Sequence, residues 1–338
     1  MSDAYTIRAF EPGDRDSLLA CFRASFEGTA DAEPRTRAEW EWAFERNPAG
    51  QRIFVALSGG AVVAQYAALP QTVWIDAAER TFAQIVDSMV HPEHRAGLQQ
   101  PGLFVRTARA FFEAYGGRDR DLVHFGWPVA KALRIGARYL RYEIVRTQTV
   151  LVRPLGGGST DTTEARVVPR VVPIERFDEQ ARWLWDRCAG AFGASAIRDA
   201  AYLNWRFADH PKHAYRRLGV RDAQGVLRGY AIWRLADWGR PEPVRDLALV
   251  VDWLVPPAEP EVGELLLAGV AAEARARLAT ALVALFPEWS PWFARFQETG
   301  FRVHPTDYAL VARNFDARFG VHWLREHWWH QLGDSDLV

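Results

Sequence analysis

Cysteine is nearly absent from this chain of 338 residues, which has only Cys21 and Cys188. Two thiols so far apart supply neither a disulfide framework nor a cysteine metal site, and they read as reduced side chains of a cytoplasmic protein. Net charge is missing as well, with 41 Lys and Arg against 42 Asp and Glu. That balance gives no general attraction for nucleic acid or an anionic membrane. No run approaches the roughly 20 apolar residues that span a bilayer. The N-terminus, MSDAYTIRAFEPGDRD, is charged from the start and lacks the apolar stretch of a signal peptide. What is present is the composition of a soluble globular chain, 49% apolar and 25% charged, with 15 Trp and far more Arg than Lys. The length suffices for two domains, each with its own core.

Apolar periodicity divides the first half into alternating elements. Tyr5 to Phe10 suits a strand, and Pro12-Gly13-Asp14 a turn with Asp14 as helix N-cap. Leu18, Leu19, Phe22 and Phe26 fall at helical spacing, and EWEWAFER (39–46) predicts a short helix stopped by Asn47-Pro48. Residues 53–57 and 61–69 flank Ser58-Gly59-Gly60 as a hairpin, and 73–75 and 81–90 predict two further strands. A helix over 102–115, a strand over 122–126, a helix over 129–139 and a strand over 142–152 follow. The segment PLGGGSTDTTEAR (154–166) has no apolar periodicity and reads as a linker.

Beyond the linker the order repeats. Helices are expected over 180–192, 200–208, 262–278 and 291–299, a hairpin around 222–225, and strands over 247–255, 281–286 and 308–313. The residues repeat too. Trp42-x-Phe44-x-x-Asn47-Pro48 matches Trp205-x-Phe207-x-x-His210-Pro211, 163 positions on. Val86-Asp87-x-x-Val90-x-Pro92 matches Val251-Asp252-x-x-Val255-x-Pro257, 165 positions on. Gln65-Tyr66 matches Gly229-Tyr230, and Arg141-Tyr142 matches Gly300-Phe301. Four matches in one order argue for two copies of one α/β domain, over 1–153 and 167–315, followed by a Trp- and His-rich tail over 316–338.

The stretch Val86 to Phe104, VDSMVHPEHRAGLQQPGLF, organises the first copy. A strand feeds a loop rich in Arg, Gly and Gln, and the loop opens a helix at Gly102. The unpaired N–H groups and the dipole of a helix start favour a pyrophosphate there. The second copy has PPAEPEVGE (256–264) instead, whose three carboxylates would repel one.

Each half resembles the GNAT acetyltransferase superfamily, and the whole resembles its tandem members such as the mycothiol synthases. Val90-His91-Pro92 fits the family's strand end, and Gln99-Gln100-Pro101-Gly102-Leu103-Phe104 fits its Gln-x-x-Gly-x loop, with Arg95 to Leu98 as an insertion. The resemblance implies two tandem α/β domains with mixed, mostly antiparallel sheets and flanking helices. It implies acyl-CoA, as acetyl-CoA, held by Met89, Val90, Arg95, Gln99, Gln100, Gly102, Leu103, Phe104 and Arg106. The second copy is then a degenerate one that does not hold CoA.

Acyl transfer to an amine needs a base and an oxyanion donor, and often an acid for the leaving thiolate. Asp87 lies on the strand that would line the thioester and is the base candidate; a structural role is the competing reading, because Asp252 repeats it. His124 is a further catalytic candidate, and His91 and His94 are alternatives. The family's acid Tyr, counted back five residues from Tyr142, falls on Ala137. Tyr139, two positions on, would point roughly 200° away around the helix. Trp127, Trp323 and Trp328 could floor an acceptor pocket, although plain core burial suits any single Trp better. His322, His327 and His330 match no strong metal spacing, and no metal is expected. The expected activity is acyl-CoA-dependent N-acyl transfer, as acetyl, to a small polar amine in a ternary complex, without nucleic acid or membrane as partner. Whether the chain forms a homodimer stays open. The rivals are a non-catalytic, ligand-sensing protein and an aminoacyl-tRNA-dependent transferase.

Overall fold

The computed structural model describes residues 5–27, 35–95, 101–156, 171–240 and 242–338. The chain divides into two compact units. One comprises residues 1–72, 80–144 and 310–321; the other comprises 73–79, 145–309 and 322–338. Both are mixed α/β structures built on a mostly antiparallel sheet.

In the first unit β1 (Thr6–Ala9) pairs antiparallel with β2 (Arg52–Ser58), which turns into β3 (Ala61–Ile75). Gly59 and Gly60 carry the turn at φ of 57° and 84°, a conformation that costs glycine little. The stretch 73–75 is thus the end of β3 rather than a separate strand. β4 (Ala78–Val90) follows, and β5 (Asp121–Gly126) lies parallel to it. The next neighbour of β5 is the end of β13 (Arg302–Asn314), where Val311 faces Gly126. α1 (Arg15–Phe26), α3 (Leu103–Tyr115) and α4 (Ala130–Tyr139) flank this sheet. Phe111, Phe112 and Ala108 of α3 pack on Tyr66, Ala68 and Ala83, which explains the apolar stripe of that helix. Asp14 does not cap α1 with its side chain. Its carboxylate instead accepts from Arg8 at 2.7 Å and from the Glu11 N–H at 2.8 Å, holding the turn before the helix.

In the second unit, β9 (Arg216–Arg221), β10 (Leu227–Trp238) and β11 (Val244–Leu254) form an antiparallel meander with β7 (Val171–Pro173) at its edge. β12 (Ala281–Ala284) is parallel to β11, as β5 is to β4. The sheet continues antiparallel into β6 (Glu143–Pro154), where Leu151 faces Ala284. The closing strand of each repeat therefore sits in the sheet of the other unit. α5 (Gln180–Ala189), α7 (Pro260–Arg275) and α8 (Pro291–Glu298) flank the sheet, and Leu266, Val270 and Trp253 are central to its core.

The matched Trp-x-Phe segments share an unusual form. α2 (Arg37–Trp40) runs into a π-helical turn over Glu41–Glu45, and α6 (Ala200–Leu203) into another over Asn204–Ala208. Each helix is capped from the same place, with Thr36 accepting from the Glu39 N–H and Asp199 from the Tyr202 N–H. The tail packs into the second unit as α9 (Val321–His327) and a short strand, β14 (Trp328–Trp329), parallel to β8 (Ala194–Ala196). Trp328 and Trp329 are core residues, the latter stacked on Phe192 with ring centroids 4.3 Å apart. Among the described residues no helix is long and apolar enough to cross a membrane.

Candidate active site

The parallel pair of β4 and β5 opens like a fork. The register runs from Thr81 opposite Asp121 to Gln84 opposite Phe125 and then stops. β5 ends at Gly126, whereas β4 continues to Val90. Gly126 sits at the crotch, where a Cβ would come within 3.2 Å of the Ile85 carbonyl. Asp87, on the free arm, has φ of 52°, a left-handed conformation that a residue with a Cβ adopts at a cost. The Gln65 amide holds this kink by donating to the Asp87 carbonyl at 2.9 Å.

A cavity of about 420 Å³ lies at the free arm. Ser88, Met89 and Val90 form one wall, the turn from Gly102 to Val105 a second, and Val129, Lys131, Ala132, Ile135 and Tyr139 a third. Phe26, His94, Arg95 and Pro101 complete it. Most of this lining is apolar, with cationic groups at Arg95 and Lys131. Gly102 is the N-cap of α3 and has no side chain to bond the first turn. The N–H groups of Leu103 and Phe104 therefore stand at a helix start without a side-chain cap. Arg95 donates to the Val90 carbonyl at 2.8 Å and to the Ser25 carbonyl at 3.0 Å. No described carboxylate pairs with it.

The expected site residues fall into three groups. Met89, Val90, Arg95, Gly102, Leu103 and Phe104 come together around the cavity. Gln99 and Gln100 lie outside the described residues. Arg106 and Asp87 are not in the wall: Arg106 lies over the Tyr5 ring at 5.9 Å, and the Asp87 carboxylate pairs with Arg35 at 2.5 Å. His124 is the clearest correction. Its side chain is fully buried, bonded through Nε2 to Asp121 at 3.1 Å and packed on Phe111, Phe112 and Phe315. Burial lowers its pKa against the pull of Asp121, which favours the neutral ring in the core.

Tyr139 is the opposite case. The cavity face of α4 carries positions 132, 135 and 139, whereas Ala137 is exposed. Counting back from Tyr142 fails because α4 ends at Tyr139 and the chain turns at Arg141, with φ of 58°, before β6. Phe26, Ser88 and Lys131 also line the cavity and carried no motif signal. His91, Glu93 and His94 are the group, among the described residues, that could hold a metal ion, with ligand atoms within 4.8 Å of one another. His94 Nδ1 bonds the Tyr5 hydroxyl at 3.1 Å. In the tail, His330 bonds Gln148 at 2.9 Å, and burial takes its pKa down to about 3, a structural role rather than a ligand's. Trp127 packs edge-on against Phe125, and Trp323 stacks on His327.

The second unit offers a contrast at its own helix start. Glu259, the N-cap of α7, is paired with Arg187 and with Arg228. The Trp292 indole donates to the Val255 carbonyl at 3.1 Å and packs so closely on Gly263 that a Cβ there would lie 2.3 Å from the ring. A large aromatic side chain thus fills the space between the end of β11 and the first turn of α7.

Residues 6–132 match the family model of the acetyltransferase (GNAT) domain. No curated protein matches the sequence. Several solved structures share the fold. A probable N-acyltransferase of unknown function from Enterococcus faecalis V583 superposes with a TM-score of 0.62 at 14% identity, over 93% of this chain and 73% of that one. Saccharomyces cerevisiae N-myristoyltransferase with bound myristoyl-CoA gives 0.57 at 12% identity, over 93% and 83%. A GCN5-related N-acetyltransferase from Anabaena variabilis gives 0.59 at 12% identity, over 92% and 73%. At such identities the likeness is one of fold.

Proposed function

We propose that the chain is an acyltransferase, as the match of residues 6–132 to the acetyltransferase (GNAT) domain supports, that the cavity of the first unit holds the CoA part of an acyl-CoA, and that the acyl group passes directly to a small amine. The observation that carries this reading is the cavity at the fork of β4 and β5, mostly apolar and bordered by a helix start and by Arg95, which has no carboxylate partner among the described residues. The apolar walls suit a pantetheine arm. The N–H groups of Leu103 and Phe104, with Arg95, suit a diphosphate. The His91 N–H bonds the Val63 carbonyl of β3 at 2.8 Å, so by the alternation of a strand the Val90 N–H points to the open side of β4, beside the place of the thioester carbonyl, where an oxyanion would be stabilised. Three of the similar solved structures are of a protein with bound myristoyl-CoA, which agrees with a CoA thioester as co-substrate.

The route is direct attack in a ternary complex. Burial raises the Cys21 thiol and pushes Cys188 up to about 12, so neither supplies a thiolate near neutral pH. Tyr139 lines the cavity and would return a proton to the departing thiolate. Asp87 lies outside the wall but one residue before Ser88, and would take the proton of the incoming amine. The second unit, with Trp292 in the corresponding space, serves as a partner domain without CoA of its own. The test is Ala132→Trp, which sets an indole in the cavity wall. The variant is expected to remain folded and to lose both acetyl-CoA binding and amine-dependent thiol release. Unchanged binding would refute the placement.

A further inference from the structure

His91, Glu93 and His94 bring two imidazoles and a carboxylate together in the first unit, with ligand atoms within 4.8 Å of one another. They follow β4 on a single turn of 3-10 helix, Pro92–His94, which His91 begins. The backbone beneath them is pinned. The His91 N–H bonds the Val63 carbonyl at 2.8 Å, the His94 N–H bonds the His91 carbonyl at 2.9 Å, and the Arg95 N–H bonds the Pro92 carbonyl at 3.2 Å. The ring of Pro92 fixes one more backbone angle.

The side chains are set up for a ligand. His94 Nδ1 meets the Tyr5 hydroxyl at 3.1 Å, and the two rings stand edge to face with centroids 5.7 Å apart. An Nδ1–H donating to that oxygen leaves the Nε2 lone pair for a metal, the way an outer residue orients a ligating imidazole. The Glu93 N–H stands 3.4 Å from His91 Nδ1, too far to hold that ring in one tautomer. Among the described residues nothing pairs with the Glu93 carboxylate. Its near neighbour Arg95 turns its guanidinium to the carbonyls of Val90 and Ser25 instead.

The second copy lacks the group. The positions 165 on from His91, Glu93 and His94 are Pro256, Ala258 and Glu259. Glu259 is there paired with Arg187 and Arg228. The three ligands therefore go with the copy that has the cavity, and the copy whose corresponding space is filled by Trp292 has no histidine on this turn.

We propose that His91, Glu93 and His94 form a binding site for a divalent transition metal of the zinc class. Two imidazoles and a carboxylate are the donor set of that class, whereas magnesium and calcium prefer oxygen alone. Ligands about 2.1 Å from one ion lie at most about 4.2 Å apart, so the group must close by about 0.6 Å, which rotation of partly exposed side chains supplies. Three protein ligands leave a position on the ion for water or for an oxygen anion. Because His94 lines the cavity, the ion stands at the cavity's edge. The site stands whether or not that cavity holds CoA.

The test titrates the full chain, stripped with a chelator, with zinc in a calorimeter. One zinc per chain is expected in the first unit. His91→Gln and His94→Gln should each abolish it, and Glu93→Gln should weaken it. Tyr5→Phe, which keeps the ring and removes only the hydroxyl, should weaken it about 10- to 100-fold. The rise in unfolding temperature with zinc should follow the same order, and equal unfolding temperatures without metal separate a lost ligand from a lost fold. The rival is the stacked pair His210 and His213 of the second unit, with ring centroids 4.6 Å apart. His213→Gln should leave zinc binding unchanged. No zinc bound by the parent chain, or binding kept in His94→Gln and lost in His213→Gln, would overturn the proposal. So would Glu93→Gln and Tyr5→Phe variants that bind as tightly as the parent, since a bare pair of surface histidines would then suffice.

Discussion

Replacing Arg198 by Met should cost far more than making the same change at Arg35, although the two are equivalent positions of one repeat. Arg198 holds two buried carboxylates, with 3.0 Å to Asp252 and 2.7 Å to Asp334, and also donates to the Ala196 carbonyl at 2.9 Å. Removing the cation leaves those carboxylates facing each other in the core, and breaking a buried pair in this way costs about 3–5 kcal/mol. A body of this size loses about 2–4 °C of Tm per kcal/mol, so a fall of about 6–20 °C is expected. The Arg35 pair is 18% and 11% exposed, so water can reach the Asp87 carboxylate left behind, and its loss should cost less than that of the buried Arg198 group. The pH dependence adds a sign. Desolvation by burial already raises the Asp252 pKa against the attraction of Arg198. Without that cation the folded state holds the Asp252 proton more tightly than the unfolded state, so stability of the variant rises as pH falls. Urea unfolding of both variants at pH 7 and pH 5 reads the whole pattern. Equal losses at the two sites, or an Arg198→Met deficit that widens at pH 5, would refute the reasoning.

Arg95→Ala should weaken acetyl-CoA binding about 10- to 100-fold, the worth of a charge-assisted contact, with a smaller loss at high salt, as titration would show. His330, buried and lowered to about 3, lends stability that is present above its unfolded pKa near 6.5 and lost as pH falls toward 3. Each pH unit in that window costs about 1.4 kcal/mol, and His330→Asn should flatten this slope in equilibrium unfolding. Gly136→Ala would bring a Cβ to 2.1 Å from the Tyr142 ring and should cost about 1–3 kcal/mol by overpacking, measured as a shift of the denaturation midpoint.

The repeat was legible because its markers are local. Trp42 and Trp205 anchor the same π-helical turn, and the Val-x-Pro ends mark the same strand. Arg35 and Arg198 were legible in principle at the same interval, but a single Arg match carries no signal until the structure shows each on an Asp. Tyr139 escaped because its direction depends on where α4 stops, and helix ends follow from the turn at Arg141 rather than from periodicity. His124 reads as chemistry in sequence because alternation along β5 does not say which aromatic residues cover it. The exchange of closing strands could not be read at all. Whether β5 takes β6 or β13 as neighbour is decided by pairings far apart in the chain, and both strands have the same alternating pattern.

The measurement that bears most directly on the central claim is calorimetric titration of the intact chain with acetyl-CoA and with free CoA. One site per chain is expected for each, abolished by Ala132→Trp and weakened by Arg95→Ala. Two sites per chain would contradict the account of the second unit, and no heat at millimolar ligand would contradict the assignment of the cavity to CoA.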